Sequence, residues 1–286
     1  MLALLAAATQ RLPESRWKAR AGRALARATP HHVVETSLGD GTRMLLDARG
    51  RTEGGPVWNG TYEPHLVALL ERLTPPGGTV LDVGANVGLI AVPLARRLAP
   101  ANGRVIAVEP IPENADRIER SAALNGLAIE VHRVALGDRH QHVRMRREDG
   151  WGAATSNAVL EQVASVIPTG VDHDVEMLTL DELAPELGPV DVIKIDAEGA
   201  DILILQGAKN YLTTTRPIVH AEFSRGLTPG FGQTFLDVVP LCSELRYRIA
   251  GFDAAGRPAE REAEVGLRDV LLVPEERLEH VLRALH

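Results

Sequence analysis

The sequence predicts a doubly wound α/β fold: a mostly parallel, seven-stranded sheet with helices on both faces, preceded by an N-terminal helix and a β-hairpin. Three observations carry this. Apolar, strand-like runs begin near Thr79, Arg104, Ile129, Val190 and Arg216, and helical patterns follow the first, second and fourth. Most of these starts are about 25 residues apart, the length of one strand plus the crossover helix that parallel pairing requires. Two last runs, "YRIAGFD" and "GLRDVLLVP", read as a closing antiparallel pair.

In chain order, "MLALLAAATQRLPESRWKARAGRALARA" opens with an apolar octet. No Lys or Arg precedes it and it is too short to span a bilayer, so neither a signal peptide nor a transmembrane segment is expected. Arg11, Arg16, Lys18, Arg20, Arg23 and Arg27 alternate with Ala and Leu. The pattern predicts an amphipathic helix resting on the domain or a partner, with a membrane-surface anchor as the less favoured reading. Val33 to Leu38 and Arg43 to Asp47 read as strands joined by the Gly39-Asp40-Gly41 turn. "TYEPHLVALLERL" has helical spacing that "TPPGG" stops. These features divide the chain into an extension, residues 1–57, and a main domain, residues 58–286.

About 60 residues separate the third and fourth strands, well beyond one crossover. The interval holds the alternating "HVRMRRED", the small-residue loop "DGWGAATSN" and a second extended stretch ending "VEMLTLDEL", a pattern that suits a lid or substrate wall. A doubly wound sheet passes back across its first strand once, and ligands bind at that switch, outside the carboxyl ends of the strands. The switch is expected between the third and fourth strands.

Composition narrows the function. A net charge of -7 with 3% aromatic residues supplies neither a general basic footprint nor stacking platforms, so nucleic acid is not an expected partner. Cys242 is the only cysteine. It permits no intrachain disulfide and no cysteine zinc cluster, and it fits a reducing, cytoplasmic setting.

The strand-to-helix turn in "VLDVGANVGLIAVPLA" is chemically specific. Gly84 and Gly88 permit close backbone approach to a ligand and tight packing of helix on strand. The pattern is G-x-N-x-G, not the G-x-G-x-x-G that presents a helix N-terminus to a pyrophosphate. Asp82 beside it disfavours phosphate and favours a cationic ligand. At the next strand end, Glu109 offers two acceptor oxygens to the paired hydroxyls of a ribose. Together they describe a pocket for an adenosine without phosphates and with a positively charged amino-acid tail.

That description fits S-adenosylmethionine. "VLDVGANVGLIAVPLA", "GRVIAVEPIPENADRIERSAALNG", "VALGD", "TLDEL", "VIKIDAEGADILILQGA" and "RPIVHAEF" resemble successive blocks of the FkbM-type methyltransferases, within the Rossmann-like class I methyltransferases. The resemblance covers roughly Trp58 to Pro274. It implies that Gly84, Ala85, Asn86 and Gly88 surround the methionyl moiety, that Glu109 holds the ribose and that Ala135 lines the adenine. It also implies O-methylation of a hydroxyl on a sugar, glycolipid or secondary metabolite.

For removal of the acceptor proton, "VIKIDAEGAD" places Lys194 and Asp196 on one face of an apolar strand, and Glu222 ends the neighbouring strand. An ion pair among these three is the structural reading; Asp196 is the leading catalytic or donor-positioning residue. Glu198 is suited to substrate binding, to a metal or to the helix N-terminus. His220 reads as a core or hydrogen-bonded histidine. No metal is expected, because Lys194 adds positive charge to a site with few oxygen ligands. Two other readings remain open from sequence: a nicotinamide-dependent oxidoreductase, and a non-catalytic binding protein that keeps the pocket.

Overall fold

The computed structural model describes residues 1–13, 15–29, 32–148, 158–161, 170–223, 227–252, 258–260 and 269–285. The opening segment forms two helices where the sequence suggested one, α1 (Leu2–Gln10) and α2 (Arg16–Arg27). The break has a local cause. Pro13 has no amide hydrogen to continue a helix, and the Ser15 side chain accepts from Lys18 N at 3.1 Å as an N-cap.

Strands β1 (Val33–Ser37) and β2 (Arg43–Asp47) pair antiparallel as a separate hairpin. Helix α3 (Arg51–Asn59) follows. Its Trp58 is buried, donates its indole N–H to Ala48 O at 3.1 Å, and lies so close to Gly22 that a Cβ there would come within 2.2 Å of the ring. Met44, Leu46 and Trp58 share one apolar cluster with Val87, Val92 and Ile118. The extension is therefore packed into the core of the main domain.

After α4 (Pro64–Leu73) the chain builds the sheet from β3 (Thr79–Val83), β4 (Arg104–Val108) and β5 (Glu130–His132), with α5 (Ala91–Leu98) and α6 (Pro112–Leu124) as crossovers. Next come β6 (Ala135–Leu136), β7 (Gln141–Glu148), β8 (Ala158–Leu160), β9 (Gly170–Leu178) and α7 (Leu180–Leu187). The second half holds β10 (Val192–Ile195), α8 (Asp201–Gln206), α9 (Lys209–Thr215), β11 (Ile218–Glu222), α10 (Val238–Leu245), β12 (Tyr247–Phe252), β13 (Pro258–Glu260), β14 (Asp269–Pro274) and α11 (Leu278–Leu285).

The main sheet has the order β13-β12-β14-β11-β10-β3-β4-β5. The five strands from β11 to β5 run parallel, and β14 enters antiparallel between β11 and β12. These include the seven strands expected, with short β13 added at the edge. The chain leaves β5 and returns to β10 beside β3, which is the expected switch. "IEVHRVAL" is not one strand: only Glu130–His132 joins the main sheet, while β6 pairs with β9. The long interval forms its own four-stranded sheet, β6-β9-β7-β8.

Alternation along the parallel strands sorts their apolar side chains between two layers. Leu81, Val83, Ile193 and Ile195 pack with residues of α7, α8, α9 and α10. Val80 and Val192 face α4, α5 and α11. In register with one another on adjacent strands stand three polar residues, Asp82, Lys194 and His220, all buried.

Candidate active site

Strand ends converge on a cavity of about 360 Å³ along the carboxyl edge of the sheet. The sheet order sets its layout: Glu222 ends β11, Asp196 follows β10, Gly84 to Asn86 follow β3, Glu109 follows β4, and Val134 to Leu136 lie beyond β5.

The turn after β3 is held by its neighbours. Gly84 N and Ala85 N donate to Val108 O at 3.0 and 3.1 Å, joining the β3 turn to the end of β4. Gly84 has φ +73, and a Cβ on it would lie 2.0 Å from Asp196 O. Gly84→Ala is therefore expected to cost about 3 kcal/mol or more, through both clash and backbone conformation, and to abolish donor binding. Gly126→Ala is the control: φ there is also positive, at +67, but the space is open, so only about 1 kcal/mol is expected. Urea unfolding of the two variants checks the difference.

Asn86, with φ +54, donates its backbone N–H to Glu109 Oε2 at 2.8 Å. Glu109 Oε1 accepts from Ile111 N at 3.0 Å and from Asn114 Nδ2 at 3.2 Å. Burial pushes the Glu109 carboxyl up to about 7 against these hydrogen bonds. Ala85 and Ala135 also line the cavity. Gly88 does not: its φ is +84 and a Cβ would meet Val92 Cγ2 at 3.0 Å and Ile118 Cγ1 at 3.3 Å, so it seats the turn on the helices behind.

Asp82 also lies behind the cavity wall. It is fully buried, and its Oδ1 is 3.0 Å from Lys194 Nζ. The expected ion pair of Lys194 is thus reordered, with Asp82 as the nearer partner and Asp196 Oδ2 at 3.6 Å. The ammonium also donates to Gly84 O at 3.3 Å. Burial disfavours the charged lysine, but Asp82 and Asp196 outweigh it and hold the group above its ordinary value. Burial and the Lys194 charge drive His220 down to about 3, so the imidazole is neutral.

Asp196, Glu198, Glu222 and Glu63 line the β10–β11 end of the cavity. Burial, then Asp196 and Glu222, push Glu198 up to about 7, and burial with Glu222 and Asp196 raises Glu63. Both take left-handed backbone, with φ +50 and +40. The sequence reading missed Glu63 and its neighbour Tyr62, also a lining residue. A signal was present, since Glu63 precedes Pro64 and is disfavoured from continuing a right-handed helix. Asp201 was missed too: it is fully buried, accepts from Ala197 N at 3.0 Å and braces the loop carrying Asp196 and Glu198.

The arginines of "RMRRED" do not supply the wall. Arg146 pairs with Asp172 at 2.7 Å and Arg144 with Asp174 at 3.4 Å across β7 and β9, while Met145 and Leu160 face the cavity. Trp151 and the rest of "DGWGAATSN", residues 149–157, lie outside the described residues. Among the described residues, no group of three or more His, Cys, Asp or Glu is arranged to hold a metal ion.

Residues 82–249, more than half of the chain, match the Methyltransferase FkbM domain family. The chain is 26% identical over 179 residues to ribosomal RNA small subunit methyltransferase G of Mycolicibacterium paratuberculosis, covering 60% of this chain and 70% of that protein. It is 38% identical over 126 residues to protein-L-isoaspartate O-methyltransferase of Methanopyrus kandleri, covering 42% and 50%. A 27% match to the antimetabolite synthetase AmbE of Pseudomonas aeruginosa takes in 58% of this chain but 9% of that much longer protein. A crystal structure of methyltransferase FkbM from Methylobacillus flagellatus aligns with 17% identity and a TM-score of 0.43, over 68% of this chain and 43% of that one. The chain belongs to the FkbM methyltransferase family.

Proposed function

We propose that the protein transfers a methyl group from S-adenosylmethionine to a hydroxyl of a sugar, glycolipid or secondary metabolite, with Asp196 taking the acceptor proton. The observation that carries this is the pairing of Glu109 and Asp196 in one cavity, two strands apart. Strands are spaced by about 4.8 Å, so the two carboxylates stand roughly 10 Å apart across the sheet.

The lining residues fit the donor. Glu109 faces the cavity as a ribose acceptor, Ala135 and Leu136 form an apolar wall for an adenine, and Asn86 with the backbone of Gly84 and Ala85 adjoins the amino-acid tail. The donor supplies a methyl group already activated on a sulfonium centre. The protein then has to align the acceptor, keep water out and receive a proton. Asp196 is suited to receiving that proton, because its side chain is 37% exposed, towards the cavity, while the lysine beside it is buried. Lys194 Nζ, 3.6 Å from Asp196 Oδ2, brings a positive charge that makes the site unwelcoming to a divalent cation.

The acceptor end is walled by Glu63, Glu198 and Glu222, which repel a phosphodiester backbone and support a neutral or cationic acceptor. The family match displaces the nicotinamide alternative, in agreement with the missing middle glycine. A cytoplasmic location fits the single, buried Cys242.

Calorimetric titration with the donor and its demethylated product tests the pocket. Glu109→Ala is expected to weaken binding at least tenfold, through loss of two charge-assisted hydrogen bonds. Glu109 must be ionised to accept from both hydroxyls, and its carboxyl stands at about 7. Donor affinity should therefore rise with pH up to about 7 and then level, falling roughly tenfold per pH unit below it. Glu109→Gln should remove the step; a step that persists belongs to Glu198. Incubating cell extract with labelled donor, then separating metabolites, glycans, RNA and protein, identifies the acceptor. Label only in RNA or protein would overturn the proposed acceptor class, and saturable NAD binding without donor binding would overturn the donor.

A further inference from the structure

We propose that α1 and α2 form a docking surface for anionic lipid membranes. The charge of this segment runs against that of the chain. Residues 1–29 hold six basic residues, Arg11, Arg16, Lys18, Arg20, Arg23 and Arg27, against one acid, Glu14, whereas the whole chain carries -7. Arg11, Arg16 and Arg20 make no ion pair among the described residues.

Each helix buries only a narrow face. In α1 it is Leu2 and Ala6; in α2 it is the small residues Ala19, Gly22 and Ala26. Both helices pack on α3 and on each other, and the Trp58 ring against Gly22 sets how closely α2 sits. What remains outside is apolar and basic together. Leu4 is 78%, Leu12 59%, Trp17 79% and Leu25 43% exposed, an arrangement that costs hydration unless something covers it.

On α2, Trp17, Ala21 and Ala24 follow the i, i+4, i+7 stripe opposite the buried face, and Arg16, Arg20 and Arg27 run along one flank. An apolar stripe carrying a tryptophan beside a row of arginines is the pattern of a helix lying in a bilayer interface, with its ring at headgroup depth and its guanidinium groups on lipid phosphates. Charge complementarity selects anionic lipid, because each such arginine adds to the attraction of a negative leaflet. No helix among the described residues is long and apolar enough to cross a membrane, so the contact is peripheral. The surface also lies one helix from the chemistry: α3, on which α1 and α2 rest, contributes Thr52 to the cavity wall.

Co-sedimentation of the full chain with phosphatidylcholine vesicles, with and without phosphatidylglycerol, tests the surface. Binding to the anionic vesicles is expected at low salt. It should fall about tenfold or more in Arg16→Glu/Arg20→Glu and in high salt, and several-fold in Leu4→Ser/Trp17→Ser. All four positions are exposed, so circular dichroism and thermal unfolding should match the parent, which separates lost docking from lost structure. Equal binding to neutral and anionic vesicles, no binding to either, or an arginine variant that binds like the parent would overturn the proposal. So would a dimer dissolved by Trp17→Ser with no vesicle binding, which assigns the face to a second copy of the chain.

Discussion

Asp196→Asn is expected to lower turnover by about 10²–10⁴-fold, the usual contribution of a positioned base, while changing donor affinity by less than about threefold. The substitution keeps the size of the side chain near Lys194 Nζ, 3.6 Å away, and removes its negative charge together with the ability to accept a proton, while the nearer partner Asp82 still holds the lysine. Donor binding is proposed to rest on Glu109 and the β3 turn, so kcat and donor Kd should separate. Glu198→Gln and Glu222→Gln, at the same end of the cavity, should have smaller effects on kcat. If either costs more than Asp196→Asn, the base is misassigned. Exhaustive chelation should leave turnover unchanged. Activity lost to EDTA and restored by magnesium or manganese would make Asp196 and Glu198 metal ligands instead.

Lys194→Met should destabilise the fold by about 3–5 kcal/mol, because it leaves a buried charge without its counterion. Asp82 is fully buried and its carboxylate meets Lys194 Nζ at 3.0 Å. Adding Asp82→Asn should recover much of the loss, since the charge left unpaired is then gone. Urea unfolding of both single variants and the double variant measures the coupling directly. Simple additivity would show that the two side chains do not act as a pair. The sign with pH follows from the raised lysine. Its contribution is complete below the unfolded-state value of about 10.4 and is lost only as pH rises above that, so the lysine's contribution should not change as pH is lowered from about 9.

Local chemistry made much of this fold legible before any tertiary contact was known. Period-two apolar runs, turn residues and crossover-length spacing depend only on neighbours in the chain, and they yielded the parallel strands, the antiparallel closing pair and the switch beside β3. The G-x-N-x-G turn and Glu109 were legible for the same reason: each sits where a strand meets the next segment, and a strand end in such a sheet has one place to go.

Tertiary packing decided the rest. Whether an acidic residue faces a cavity or a neighbouring strand depends on register between segments far apart in sequence. Register turned Asp82 towards Lys194, 112 residues along the chain, and left Asp196 on the cavity side. Packing of two helix faces set Gly88 against Val92 and Ile118. The segment before α4, in which no chemistry was read, folds back to supply Tyr62 and Glu63 to the acceptor end. The sequence by itself thus determined which residue types stand at the strand ends, because hydrophobic period and turn chemistry are local. Only the tertiary structure decided which of those groups share one cavity, because burial, charge pairing and backbone approach are set between segments.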